Sequence, residues 1–263
     1  MDPVSQGILG ASFACSLSKS KNLRLASLCG FFGGLTPDLD ILIKSSTDPL
    51  LSLEFHRHFT HSIFFVPFGA LITGLFLFLF LKKSLSFKEI YFYSAAGFLT
   101  HGFLDSCTSY GTQLLWPILE KRFSWNIISI IDPIYTFILL IFILVSIFKR
   151  SILYARFGVF FSCIYLMLGV YQHQNIEELI KKIAFERGHK IERILLNPTI
   201  GNNILWRTVY QTSTTYYVDA VYSPIIGQMR LKKGTQVSFI DKETVFSDLA
   251  QNSRLRNDIR RFS

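Results

Sequence analysis

The chain has 263 residues, half of them hydrophobic and 17% charged. Soluble domains usually carry about a quarter charged residues, so an ordinary soluble protein is excluded. A net charge of +9 would indicate nucleic acid only if it were gathered on one folded surface; much of it sits in short loops between apolar runs, so the expected partner is the lipid bilayer and no nucleic acid is expected.

The opening, Met1-Asp2-Pro3, is acidic and the first apolar run is short, so no cleavable signal peptide is expected. Two short helices are predicted over residues 4–17 and 23–35. Their glycines and alanines, including Gly7, Gly10, Gly30 and Gly34, suit close helix packing in a membrane. Four segments then match the roughly 17–25 apolar residues that a bilayer span needs: residues 62–81, 89–107, 132–148 and 153–171. The second is the least apolar, because it ends in His101 and Asp105. Asp2-Pro3 and Asp132-Pro133 read as helix starts, with Asp at the N-cap and Pro in the first turn. Cys15, Cys29, Cys107 and Cys163 form no CxxC pair and read as small buried side chains.

Basic residues fall between alternate segments: Lys19, Lys21 and Arg24; Lys82, Lys83 and Lys88; Lys149, Arg150 and Arg156. If all six helices cross, these loops share one side, which the positive-inside rule makes the cytoplasm. The acids of residues 1–171 show the opposite bias, with Glu89 alone near a basic loop. Asp38, Asp40, Asp105 and Asp132 fall at the other end, together with His56, His58, His61 and His101.

After residue 171 the hydropathy drops. Residues 172–188 read as an amphipathic helix, with Ile176, Leu179, Ile180 and Ile183 at helical spacing. Strand-like runs follow at 190–196, 204–212, 215–222 and 236–240, with Gly201-Asn202-Asn203 and Lys233-Gly234 as turn signals. Residues 243–261 read as a polar helix. His173 and His189 are expected to be solvated, and Trp206 and the Tyr216–Tyr217 pair to be core or interface. The expected fold is mainly α: a polytopic membrane helical bundle, residues 1–171, with a small C-terminal α+β soluble domain, residues 172–263.

Three stretches could carry chemistry. His101 and Asp105, at i and i+4, share one helix face; they can chelate one metal, or the carboxylate can hold the imidazole in a structural hydrogen bond. Ionisable groups in an apolar helix are costly unless partnered, and suggest function. His56-Arg57-His58-Phe59-Thr60-His61 concentrates imidazoles just before a membrane helix, although a polar interfacial loop with Thr60 or Ser62 as a cap would read the same. Thr36-Pro37-Asp38-Leu39-Asp40 offers two carboxylates, or simply a turn. A mixed His and carboxylate shell suits Zn²⁺, with Mn²⁺ or Fe²⁺ as alternatives. No G-x-S-x-G, P-loop or dinucleotide fingerprint is present.

On these residues the chain resembles the bacterial YdjM-like family of membrane-bound metal-dependent hydrolases, the LexA-regulated inner-membrane type. The likeness runs through about residues 1–150: Met1-Asp2, Pro37-Asp38-Leu39-Asp40, His56-Arg57, Thr60-His61-Ser62, His101 with Asp105, Ser109-Tyr110-Gly111-Thr112, Trp116-Pro117, Arg122 and Ile131-Asp132-Pro133. Two positions depart from the family pattern. Ser5-Gln6 stands where Thr-His is usual, and His58-Phe59 where a small residue is usual. A weaker likeness, through His-x-x-x-Asp, is to the zinc-dependent phospholipase C enzymes, which are all-helical and cleave phosphodiesters. The resemblance implies a metal-dependent hydrolase in the bacterial cytoplasmic membrane. Combined with the charge bias, it gives a site at the extracytoplasmic face, a C-terminal domain on that side, and a lipid-linked or phosphodiester substrate. The expected metal ligands are Asp38, Asp40, His56, His61, His101 and Asp105. Catalytic roles are expected for His101, Asp105 and Arg57, and substrate contacts for Arg57 and Arg122. The alternatives are a non-catalytic scaffold, or a small transporter with a structural polar cluster.

Overall fold

A computed structural model describes residues 1–239, 246 and 253–261. Among these, the α-helices in chain order are α1 (Pro3–Ser16), α2 (Leu23–Leu35), α3 (Leu51–Phe55), α4 (Val66–Leu81), α5 (Phe87–Ser106), α6 (Pro133–Lys149), α7 (Ile152–Glu186) and α8 (Arg254–Arg261). Four strands, β1 (Arg193–Pro198), β2 (Leu205–Gln211), β3 (Thr215–Tyr222) and β4 (Arg230–Ser238), form an antiparallel meander in the order β1-β2-β3-β4. The chain is thus a mainly helical bundle with a small C-terminal sheet.

The helix starts follow from local chemistry. The Asp2 carboxylate accepts from Ser5 N–H before Pro3, and the Asp132 carboxylate accepts from Tyr135 N–H before Pro133. Ser86 and Glu89 form a reciprocal capping box at α5. Gly10, Gly30 and Gly97 bring the backbones of α1, α2 and α5 together. The result makes α5 the central helix, wrapped by α1, α2 and α4, with Ile90, Ser94, His101 and Asp105 all fully buried. A helix shielded from lipid on most sides can carry polar groups, which explains why this segment is the least apolar.

Lipid-facing surfaces lie elsewhere. Phe68, Ile72, Phe76 and Phe80 are exposed along α4, and Phe160 and Met167 along α7. Such continuous apolar exposure needs a bilayer to cover it. Among the described residues three helical segments are long and apolar enough to cross one: Ser20–Leu42, Ile63–Leu81 and Ile152–Glu186. The shorter Pro133–Lys149 is also apolar. Three cysteines are buried as expected, but Cys163 is exposed on α7.

The tail departs from expectation in instructive ways. No Gly or Pro separates the fourth predicted span from the amphipathic helix, and the two form one helix of 35 residues. At 1.5 Å per residue it is about 50 Å long, well beyond the ~30 Å bilayer core. Its last turns pack Ile176, Ile180 and Ala184 against Leu196, Trp206, Tyr210 and Val221 of the sheet. β4 begins six residues before the predicted run, and Lys233-Gly234 lies within it instead of forming a turn. A side chain at 234 would meet the Val218 carbonyl at 2.1 Å, and the register shifts there between Val218 and Ala220. The glycine therefore marks a bulge and a close approach. His173 and His189 are half-buried; His189 packs at a tilt against Tyr217 and pairs with the Tyr210 hydroxyl at 2.9 Å. Of the predicted terminal helix, residues 254–261 are helical, while its residues 243–245 and 247–252, and Ile240 of the last predicted strand, lie outside the described residues.

Candidate metal centre

The site forms where α2 ends, α5 ends and the loop before α4 returns. Pro37 has no N–H to continue the α-helical ladder, so α2 tightens into a 3-10 segment, Thr36–Leu42, that carries Asp38 and Asp40. Arg57 adopts a left-handed φ of 60°, and a 3-10 turn, Phe59–His61, follows. His61 is thereby pressed onto α5. A Cβ on Gly102 would lie 2.1 Å from the His61 carbonyl oxygen, so only glycine beside His101 permits this approach. The Ile63 N–H donates to the Leu114 carbonyl, which ties the segment after α5 over the same region.

The hydrogen bonds fix both imidazole tautomers. His101 Nδ1 is 2.6 Å from the Gly34 carbonyl, which can only accept, so Nδ1 carries the proton. The Thr60 hydroxyl donates to Asp40 Oδ2 at 3.0 Å, and its oxygen accepts from His61 Nδ1 at 3.0 Å. Each ring therefore presents its Nε2 lone pair to the other, 2.9 Å apart. Two lone pairs at that distance repel unless a proton or a cation lies between them.

Two carboxylates complete the ring. His61 Nε2 is 3.2 Å from Asp105 Oδ2 and 3.5 Å from Asp38 Oδ1. His101 Nε2 is 3.4 Å from Asp38 Oδ1 and 3.7 Å from Asp105 Oδ2. Donors around a tetrahedral ion with bonds of about 2.0–2.1 Å stand about 3.3–3.4 Å apart. The four side chains thus fit a divalent ion with little rearrangement. Asp105 Oδ2 is buried without a hydrogen-bond partner, the kind of orphaned acceptor that a cation would satisfy.

Around this quartet the remaining groups take supporting positions. Asp105 Oδ1 accepts from Gln6 Nε2 at 2.8 Å and contacts the Met1 amino group. Arg57 is 6% exposed; its Nε stands 3.1 Å from Asp105 Oδ2 without hydrogen-bond alignment, its Nη1 donates to Thr108 Oγ1 at 3.0 Å, and its guanidinium lies over the Tyr110 ring. Asp40 holds His56 Nδ1 at 2.8 Å and the Arg57 N–H at 3.0 Å. Arg122 turns its guanidinium to the backbone carbonyls of Glu54, His56 and Gly111, so a substrate contact from it would replace one of these bonds. His58 packs against Trp116, with centroids 5.5 Å apart. Burial, and then the Arg122 charge, lower its pKa. For His61 burial works downward, but the neighbouring carboxylates of Asp105 and Asp38 outweigh it and the pKa is raised.

Six of the residues singled out from the sequence therefore meet at one level. They form two sets of donors sharing Asp38: Asp38, His61, His101 and Asp105, and Asp38, Asp40 and His56, each set lying within 4.8 Å. The supporting roles of Gly34, Thr60 and the Met1 amino group were not read from the sequence. Only the Gly34 carbonyl left a trace there, since the last carbonyls of a helix lack intrahelical partners. The basic loops lie at the opposite ends of the same helices: the site gathers the C-terminal ends of α2 and α5 and the N-terminal ends of α1 and α4, whereas Lys19, Lys82 and Lys88 flank the other ends.

Comparison with known proteins gives a family and one relative. The family model described as YdjM inner membrane protein matches residues 1–176. The protein YfhP of Bacillus subtilis strain 168, described as uncharacterized, is 31% identical over 192 residues, covering 71% of this chain and 55% of the relative. The chain thus spans about half the length of that relative. No solved structure matches it.

Proposed function

The chain belongs to the YdjM inner membrane protein family, and on that footing we propose that it is a membrane-bound metal-dependent hydrolase. One observation carries the reading: two imidazole Nε2 lone pairs converge, 2.9 Å apart, beside the unpartnered Oδ2 of a buried carboxylate. His61, His101, Asp105 and Asp38 would hold the ion. Two nitrogen and two oxygen donors suit Zn²⁺, with Mn²⁺ or Fe²⁺ as alternatives. Such an ion supplies Lewis acidity toward a phosphoryl or carbonyl oxygen and acidifies a water.

The chain's own groups set the stage for that chemistry. Asp38, whose side chain is 22% exposed while those of His61 and His101 are closed off, marks the side from which substrate enters. Gln6 Oε1, buried and unpartnered, is an acceptor able to orient a water. Arg57 offsets the Asp105 charge, and Gly34 and Thr60 keep both imidazoles in the ligating tautomer. Leu39 and Ile41, alternating with Asp38 and Asp40, are exposed, so an amphiphilic or lipid-linked ester fits the mouth better than a small polar one. The basic loops support a site at the extracytoplasmic face of the bacterial cytoplasmic membrane, and an outward-running α7 would carry the tail to the same side.

Two experiments test this. Detergent-purified protein should cleave a chromogenic phosphodiester or carboxylic ester when loaded with metal, and lose that turnover on chelation and in Asp105→Asn; turnover unchanged by both treatments would refute the hydrolase. In a background without native cysteines, Ser46→Cys should label from outside and Ser84→Cys should not; the reverse pattern would invert the orientation. The competing reading, a structural polar cluster, draws on Arg57, which already stands against Asp105. It predicts a folded, metal-free protein.

A further inference from the structure

The two donor sets are not equivalent, and their difference says more than the presence of a metal. The inner set, His61, His101 and Asp105, is closed off from solvent, with side chains at most 1% exposed. The outer set pairs Asp40, itself closed off, with His56 at 35% and Asp38 at 22% side-chain exposure. Asp38 is common to both. A carboxylate has two oxygens and can bind one cation with each, and paired ions in hydrolytic sites stand about 3.5–4 Å apart. His56 and His61 belong to different sets, yet their rings are only 5.9 Å apart.

We propose that the site holds two divalent ions bridged by Asp38: a buried ion on His61, His101 and Asp105, and an exchangeable ion on Asp40 and His56. The proposal rests on the metal-dependent reading above and refines it. It also narrows the substrate class. With one divalent ion, the three carboxylates, Arg57 and the Met1 amino group on Asp105 sum to a single positive charge. With two, the centre is strongly cationic and suits an anionic phosphoryl group, whose oxygens can reach both ions, better than a neutral carboxylic ester. Asp40 then has a double task, since it also fixes the loop through the Arg57 N–H and Thr60.

The test is a metal titration of the detergent-purified full chain, using Zn²⁺ alone and then Mn²⁺ alone, with metal content measured per chain. The expected result is two ions bound in two steps, the weaker one removed first by a mild chelator. His56→Ala should bind one ion and keep the tight step unchanged. Mn²⁺ in the wild type should give the spin-coupled resonance of a pair, and His56→Ala the signal of an isolated ion. Inorganic phosphate should bind the two-ion form at least tenfold more tightly than the one-ion form. One ion per chain in the wild type, with His56→Ala indistinguishable from it, would overturn the pair and leave the single-metal reading standing. No ion in either would overturn both. Because the two-step titration is read on the wild type, misfolding of a variant cannot mask the answer.

Discussion

Two clusters in this molecule contain the same chemical types and are built in opposite ways. In the tail, Asp219 has both oxygens engaged: Oδ2 accepts from Arg187 Nη1 at 2.8 Å, and Oδ1 from the Gly234 N–H at 3.0 Å. Tyr210 links Arg187 and His189 through its hydroxyl. That network closes on its own members, leaving only Arg187 Nη2 without a partner. In the bundle, His61 and His101 turn lone pairs toward each other, and Asp105 Oδ2 is buried without a hydrogen bond. Buried polar groups are normally satisfied. The tail network closes without a ligand, whereas the inner quartet of the bundle needs a cation to become complete. Residue type alone would not have separated them.

The comparison breaks first in stability. Asp219→Ala should leave Arg187 partly buried and uncompensated, and destabilise the tail by about 3 kcal/mol, the low end for a buried pair because Arg187 is partly exposed. Metal content should not change. Denaturant unfolding of the full chain, followed at Trp206, measures this; a stable Asp219→Ala protein that has lost metal would reverse the roles of the two clusters.

Asp105→Asn should show the converse. An amide keeps the shape and can still bond Gln6, so the fold should persist, while metal affinity falls by roughly 10–100-fold. Circular dichroism and competitive chelation read the two effects separately. Wild-type metal affinity in this variant would make the His101–Asp105 pair structural.

A third effect is graded with pH. The His61 pKa is raised because Asp105 and Asp38 outweigh burial, so protonation at its Nε2 competes with the ion. Metal affinity should therefore fall as pH drops through that raised pKa, by about tenfold per unit below it, and level off above it. Affinity independent of pH across the near-neutral range would contradict the assignment of His61. The smallest effect belongs to His58, which stands in neither donor set: His58→Ala should change metal affinity less than about twofold, and a larger loss would enlarge the site.

Much of this was legible beforehand, for identifiable reasons. Helix starts at Asp2-Pro3 and Asp132-Pro133 are local events, and the residues carrying them sit side by side in sequence. The convergence of Asp38, Asp40, His56, His61, His101 and Asp105 followed from counting helix crossings, because each segment's end fixes a depth. What stayed hidden depends on packing between distant segments. The continuous α7 could not be told from a span followed by a separate helix, since hydropathy changes at residue 171 but helix propensity does not. Gly234 reads as a turn until the partner strand shows that Val218 needs the space. Substrate contacts were expected from Arg57 and Arg122; that their donors also turn to Thr108 and to three backbone carbonyls supplied by other loops was hidden.

The central claim is that His61 and His101 present their Nε2 atoms to a cation alongside Asp105. X-ray absorption at the metal edge of the Zn²⁺-loaded protein tests it most directly. The account predicts imidazole nitrogens and carboxylate oxygens at about 2.0–2.1 Å, with the imidazole scattering reduced in His101→Ala. Bound zinc with no imidazole in its shell, or a shell unaltered by His101→Ala, would contradict it.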